Sequence, residues 1–192
     1  MHDRATAPEA VDRAFASAPR TGFLPRAQQP HAHEDQPLEI GYGQTSSQPS
    51  TVRRMLRLLD VAPGHRVLDV GSGSGWTTAL LGYLVGPVGE VVGVELEPDL
   101  ALWGASNLAA HQLPWTRIQR AEPGRLGWPV GAPFDRVLVS AAANAIPDEL
   151  VDQLTPDGVM VCPVAGRMAR ICCAPDGNEV HWYGNYRFVP LR

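Results

Sequence analysis

The run VLDVGSGSGW, Val67 to Trp76, constrains the fold more than any other part of the chain. Its apolar start is short and rich in β-branched residues, which reads as a buried strand, Arg66 to Gly71. Glycines then stand at alternate positions, Gly71, Gly73 and Gly75, before a helical pattern running to about Val85. Glycines placed there let the backbone turn tightly from strand to helix and approach a ligand closely. A second apolar strand, Glu90 to Glu95, follows, so the unit is strand, helix, strand. Such a unit is the usual connection between parallel strands.

The alternation continues. A helix is expected over Pro98–His111, strands over Trp115–Arg120 and Phe134–Ser140, and a helix over IPDELVDQL. Pro156-Asp157-Gly158 would then turn the chain into a fifth strand, VMVCPV. Strands and helices at this spacing imply an α/β fold with a parallel sheet covered on both faces. The end differs: ARICCA, the Asp176-Gly177 hairpin signal and EVHWYGNYRFVPL read as antiparallel strands added to the sheet edge.

Ahead of this core, Ala10 to Ala18 forms a short helical pattern stopped by Pro19. Residues 20–50 are rich in Pro, Gly, Gln and His and carry no period, which suggests a loop that faces a ligand. Val52, Met55, Leu56 and Leu59 then fall on one side of a helix, with Ser50 or Thr51 as the expected N-cap. With 192 residues the chain suits one hydrophobic core, so residues 1–192 are read as a single domain. About 1–50 would form a substrate and active-site segment, and about 51–192 the α/β core.

Charge and cysteine usage exclude several function classes. A net charge of −4 without a basic block gives no footprint for nucleic acid. The N-terminus lacks an apolar signal-type segment and the most apolar stretch is broken by Gly86-Pro87 and Glu90, so a cytoplasmic protein without a membrane anchor is expected. The three cysteines, two of them adjacent, do not suit a disulfide framework and are read as small buried side chains on strands. His31, His33, Glu34 and Asp35 are taken as a solvated loop, with no metal expected.

Two familiar ligand patterns fail at the glycine turn. The dinucleotide pattern needs Gly or Ala where Trp76 stands, and no Gly-Lys-Ser/Thr follows for a phosphate loop. An acid two residues before the first glycine, Asp69, followed by G-x-G-x-G, resembles the first motif of S-adenosylmethionine-dependent methyltransferases. Glu95, at the end of the second strand, is placed to accept hydrogen bonds from both hydroxyls of a ribose. Trp76 would pack either on that ligand or in the core.

From about Val11 to Leu191 the chain resembles the protein-L-isoaspartate (D-aspartate) O-methyltransferase family. The carrying segments are PRTGFLP, PLEIGYGQTSSQPSTVRRML, VLDVGSGSGW, VVGVELEPDL, APFDRVLVSAAANAIPDELVDQL, DGVMVCPVAG and RFVPL. GQTxSQP is the most specific of them. The resemblance implies a Rossmann-like, doubly wound, mostly parallel sheet. It implies S-adenosyl-L-methionine as cofactor and isoaspartyl proteins or peptides as substrates, methylated on the α-carboxylate to begin repair through a succinimide.

The family motif places the active-site residue at Ser47, expected here to orient the acceptor by a hydrogen bond and not to act as a nucleophile. Cofactor contacts are implied for Gln44, Thr45, Ser46, Asp69, Gly71, Ser72, Gly73, Gly75, Glu95, Leu96 and Glu122. A monomer is expected. The chain departs from the family at Ser46, usually isoleucine; at Ser50, usually a large residue; and at Glu122-Pro123-Gly124, where the family aspartate falls on Pro123. Residues 26–36 also differ. Two alternatives stay open: a related carboxyl methyltransferase for a dedicated peptide such as a natural-product precursor, and a cofactor-binding protein without turnover.

Overall fold

The computed structural model describes residues 6–192; residues 1–5, the start of the segment read above for a signal sequence, lie outside it. A seven-stranded sheet has the order β5-β4-β3-β6-β7-β8-β9. These strands are β3 (Arg66–Val70), β4 (Glu90–Glu95), β5 (Thr116–Arg120), β6 (Phe134–Val139), β7 (Leu154–Val164), β8 (Arg167–Cys172) and β9 (Glu179–Asn185). Neighbours from β5 to β7 pair parallel, and β8 and β9 add antiparallel. The expected α/β class and the antiparallel C-terminal edge are both present.

Successive side chains of a strand enter opposite layers. Val67, Val91, Leu138 and Val161 pack with helices α1 (Pro8–Ser17), α2 (Pro49–Leu59) and α3 (Trp76–Val85). Leu68, Val92, Val137 and Met160 pack on the other face with Leu150 of the short α5 (Asp148–Val151), Leu126 and Trp128. Helix α4 (Pro98–Ala109) lies along β4 and β5. The continuous apolar runs of β3, β4 and β6 are therefore consequences of burial on both faces.

Five local expectations change. Residues 38–46 form a small antiparallel pair, β1 (Leu38–Gly41) and β2 (Gln44–Ser46), where no period was visible. Ser50 is not the cap of α2 and neither is Thr51: the N-cap is Gln48, and Ser50 lies within the first turn. The helix expected over IPDELVDQL is only Asp148–Val151, and β7 starts at Leu154, running through Pro156-Asp157-Gly158 with an irregularity in its pairing to β6.

The C-terminal segment is not a continuous edge strand. β9 stops at Asn185, and the chain crosses to the end of β6, where Ala142 N–H donates to Val189 O at 2.8 Å and Leu191 N–H to Ala142 O at 2.8 Å. Apolar pull on Leu191, which packs against the second core layer, accounts for the return. Lastly, Cys162 is buried but Cys172 and Cys173 are half-buried; all three are free thiols.

No helix among the described residues is long and apolar enough to cross a membrane. No cluster of His, Cys, Asp and Glu among them is arranged to hold a metal.

Candidate active site

The sheet order reverses beside β3, which has β4 on one side and β6 on the other. Ligands of open α/β sheets bind at such a point, beyond the carboxyl ends of the strands. A cleft opens there. Its floor is the glycine turn, Gly71, Ser72, Gly73 and Ser74; its walls include Glu95, Leu96, Glu122, Ser140 and the returning segment Val189–Arg192, and Gln44, Thr45, Ser46 and Ser47 close one side.

The turn is held from behind. Gly75 has φ +88°, and a Cβ on it would come within 2.8 Å of the Gly104 carbonyl oxygen; one on Gly104 would come within 2.6 Å of Gly73 O. Helix α4 thus packs backbone to backbone against the turn, a contact only glycine permits. Asn107 adds a hydrogen bond from Nδ2 to Ser74 O at 3.0 Å.

Glu95 is buried at the end of β4 and joins two elements. Its Oε2 accepts the Gly73 N–H at 2.9 Å and its Oε1 the Glu97 N–H at 3.0 Å. Each carboxylate oxygen has a further lone pair, so the group retains acceptor capacity towards the cleft. The loop bearing Glu122 is fixed by Gln153, whose Oε1 accepts Trp128 N–H at 2.7 Å while Nε2 donates to Leu126 O and Glu149 O. Glu122 itself is exposed and paired with Arg125 at 3.2 Å.

Asp69 and Gly75 do not line the cleft, whereas the other nine cofactor candidates and Ser47 do. Asp69 is fully buried behind the turn, where Oδ2 accepts both the Thr77 and Thr78 hydroxyls at 2.7 Å. Burial raises its carboxyl to about 6, against the two hydroxyl bonds, with Glu95 nearby adding to the rise. Its Oδ1 and the Ser72 hydroxyl have no protein partner. Of the two, Ser72 lines the cleft, so its hydroxyl is placed to bond a ligand there.

A second, polar cleft continues from the first and shares Thr45, Ser47, Ser140 and Val189 with it. It extends along Gln48, Asn185 and Arg187. Ser47 therefore stands where two spaces meet.

Trp76 faces the cleft but is only 4% exposed; its Nε1–H donates to Ala18 O at 3.0 Å and its ring meets Phe15 edge to face. The 26–36 segment is also more structured than expected. Asp35 Oδ1 accepts the Ser50 N–H at 2.8 Å and Oδ2 the Gln48 amide at 2.9 Å, which caps α2 from a distance. Arg20, Gly104 and Gln153 escaped the sequence reading because their partners are remote in the chain; the Arg in PRTGFLP was the one available signal for Arg20.

A family model described as protein-L-isoaspartate (D-aspartate) O-methyltransferase matches residues 1–191. The chain belongs to that family. It is 42% identical over 187 residues to the protein-L-isoaspartate O-methyltransferase of Methanosarcina mazei, covering 95% of this chain and 76% of the relative. That of Methanopyrus kandleri is 43% identical over 188 residues, covering 94% and 82%.

Among solved structures, one from Plasmodium falciparum in complex with S-adenosyl-L-homocysteine superposes with a TM-score of 0.85 at 24% identity, covering 96% of this chain and 90% of the other. A protein-L-isoaspartate O-methyltransferase superposes at 0.87 and 23% identity, covering 96% and 61%. At such identity the two structures speak for the shared fold.

Proposed function

We propose that this protein methylates the α-carboxylate of L-isoaspartyl residues, using S-adenosyl-L-methionine, and so starts their repair through a succinimide. The observation that carries the reading is the meeting of the two clefts at Thr45 and Ser47: one ends on a glycine turn and a strand-end carboxylate, and the other is lined mainly by polar residues, among them Gln48, Asn185 and Arg187. Family membership and relatives named for this activity at 42% and 43% identity support it.

The residues present fit the cofactor. Glu95 is the acceptor for a ribose diol, and the turn at Gly71–Gly73 admits close backbone approach. The unpaired Ser72 hydroxyl, which lines the cleft, is free to bond a polar group of the cofactor. Gln44, Thr45, Ser46, Leu96 and Glu122 complete the wall, with Gly75 and Asp69 supporting it from behind. S-adenosyl-L-methionine, when bound, supplies an electrophilic methyl group that becomes the ester methyl as the sulfonium becomes a neutral thioether.

The acceptor carboxylate is ionised at neutral pH, with a reference pKa of about 4, so the chain need not supply a strong base. Ser47 donates a hydrogen bond that fixes which oxygen faces the methyl group. Alignment and exclusion of water carry the rate. We take the protein to act as a cytoplasmic monomer; its three free thiols accord with a reducing compartment.

The test is incubation of purified protein with methyl-labelled S-adenosylmethionine and paired peptides that contain isoaspartate or aspartate. Base-labile label on the isoaspartyl peptide alone is the expected result. Label on neither, or equally on both, overturns the reading.

A further inference from the structure

Ser46 stands where the family usually has isoleucine, and its hydroxyl has a specific partner. Arg20 Nε–H donates to Ser46 Oγ at 3.1 Å, and Nη2–H donates to Ser46 O and Gln36 O, each at 2.9 Å. Nη1–H reaches Glu34 O at 3.2 Å. The guanidinium also lies 5.5 Å from the Trp76 ring centroid. Arg20 is 5% exposed, and none of the ion pairs among the described residues includes it.

A buried cation with carbonyls in place of a carboxylate is costly unless its donors are well placed. Here four bonds join three segments: the turn at Arg20–Phe23, the 34–36 stretch and the end of β2. The first segment is itself anchored, since buried Phe23 stacks on His111 with centroids 5.1 Å apart and Ala18 O is held by Trp76. Arg20 thus transmits the rigid position of α3 and α4 to the residue directly before Ser47. Burial lowers its pKa to about 10, opposed by Asp35, and the group stays charged in the neutral range.

We propose that Arg20 is a positioning residue for the acceptor site, fixing both the hydroxyl and the carbonyl of Ser46 and thereby the aim of the Ser47 hydroxyl. The assignment rests on the methyltransferase reading above. A lysine at position 20 keeps the charge but lacks the planar fork that serves several acceptors at once. An alignment error of about 1 Å at a transfer site costs as much as a hundredfold in rate.

The experiment compares wild type, Arg20→Lys, Ser46→Ala, Ser47→Ala and the Arg20→Lys/Ser47→Ala double variant. Circular dichroism checks folding, titration gives S-adenosylmethionine affinity, and rates are measured with an isoaspartyl peptide. Arg20→Lys should lower kcat roughly tenfold or more while cofactor affinity changes less than about threefold. Ser46→Ala should act in the same direction but more weakly. The double variant should be no slower than Ser47→Ala, because the lost positioning acts through a hydroxyl already removed.

Amide hydrogen exchange reads the same effect without turnover. In Arg20→Lys, exchange at residues 45–47 should quicken roughly tenfold, while the amides of β3 and β4 keep wild-type rates. Unchanged kcat, losses that add in the double variant, or unchanged exchange at 45–47 would each overturn the role of Arg20. A wild type that methylates no isoaspartyl peptide removes the proposed function instead, and exchange alone then decides Arg20. Should Arg20→Lys fail to fold, Ser46→Ala, which removes the Nε acceptor only, decides the question by the same readouts.

Discussion

Asp35 accepts the backbone N–H of Ser50 at 2.8 Å across fifteen positions of sequence and so caps the helix that follows the loop bearing Ser47. The first turn of a helix leaves N–H groups without partners, and a carboxylate there also meets the positive end of the helix dipole. The bonds from Gln48 and Ser50 hold the Asp35 carboxyl below its ordinary value of 3.8. A depressed folded pKa stabilises above the unfolded value, and the benefit is lost as pH falls through the folded one. Asp35→Ala should therefore melt a few degrees lower at pH 7 than wild type. The difference should shrink in melts taken below pH 4.

Asp69 has the opposite sign. Burial raises its folded pKa to about 6 from 3.8, so the folded state holds a proton that the unfolded chain gives up between those values. Stability from this group is present at low pH and lost as pH rises through about 6. Asp69→Asn, which keeps an acceptor for Thr77 and Thr78, should raise unliganded stability at pH 8 by on the order of 1–3 kcal/mol. It should also weaken S-adenosylmethionine binding and flatten the loss of affinity expected for wild type below pH 6. Denaturant titration and calorimetry at pH 5 and pH 8 check both.

Gly104 sits in the body of α4, where Ala ordinarily gains about 1 kcal/mol in helix propensity. Its added Cβ would stand 2.6 Å from Gly73 O and 3.1 Å from Ile118 Cδ1. Overpacking against backbone costs typically about 1–3 kcal/mol, so the clash outweighs propensity. Gly104→Ala should lower the melting temperature and weaken cofactor binding, because the turn that moves is the cleft floor. A variant more stable than wild type would contradict the close approach.

Glu95→Gln retains the size of the side chain but loses the charge that accepts the Gly73 and Glu97 N–H groups. Charge-assisted bonds are worth roughly 1.5–3 kcal/mol, against about 1 for neutral ones. S-adenosylmethionine affinity should fall about tenfold or more, with kcat at saturation changed much less. Isothermal titration and saturating kinetics separate the two.

The part of the chain most legible in sequence was the one governed by local period. From Arg66 to Val139, apolar runs bounded by glycine, proline and acid placed every strand within a residue or two, and Glu95 followed as a strand-end acid. What escaped depends on distant partners. β1 and β2 are too short to show alternation, and their pairing is stabilised by neighbours such as Arg20. The return of Val189–Leu191 to Ala142 follows from where β6 ends, which no local pattern encodes. Ser50 had the right type for a cap, but Asp35 took the N–H from another segment. At the candidate site, the glycine turn and the loop that carries Ser47 stand out as motifs, whereas the contacts of Arg20, Gly104 and Gln153 form only once the sheet has brought the segments together.

The most direct test is the kcat/KM of wild type and Ser47→Ala on an isoaspartyl peptide and its normal aspartyl twin, with ester formation followed by mass. Wild type should methylate the isoaspartyl peptide alone, and Ser47→Ala should lose roughly 10²-fold or more while still binding S-adenosylmethionine. Equal methylation of both peptides, or full activity without the Ser47 hydroxyl, would contradict an acceptor site built where the two clefts meet.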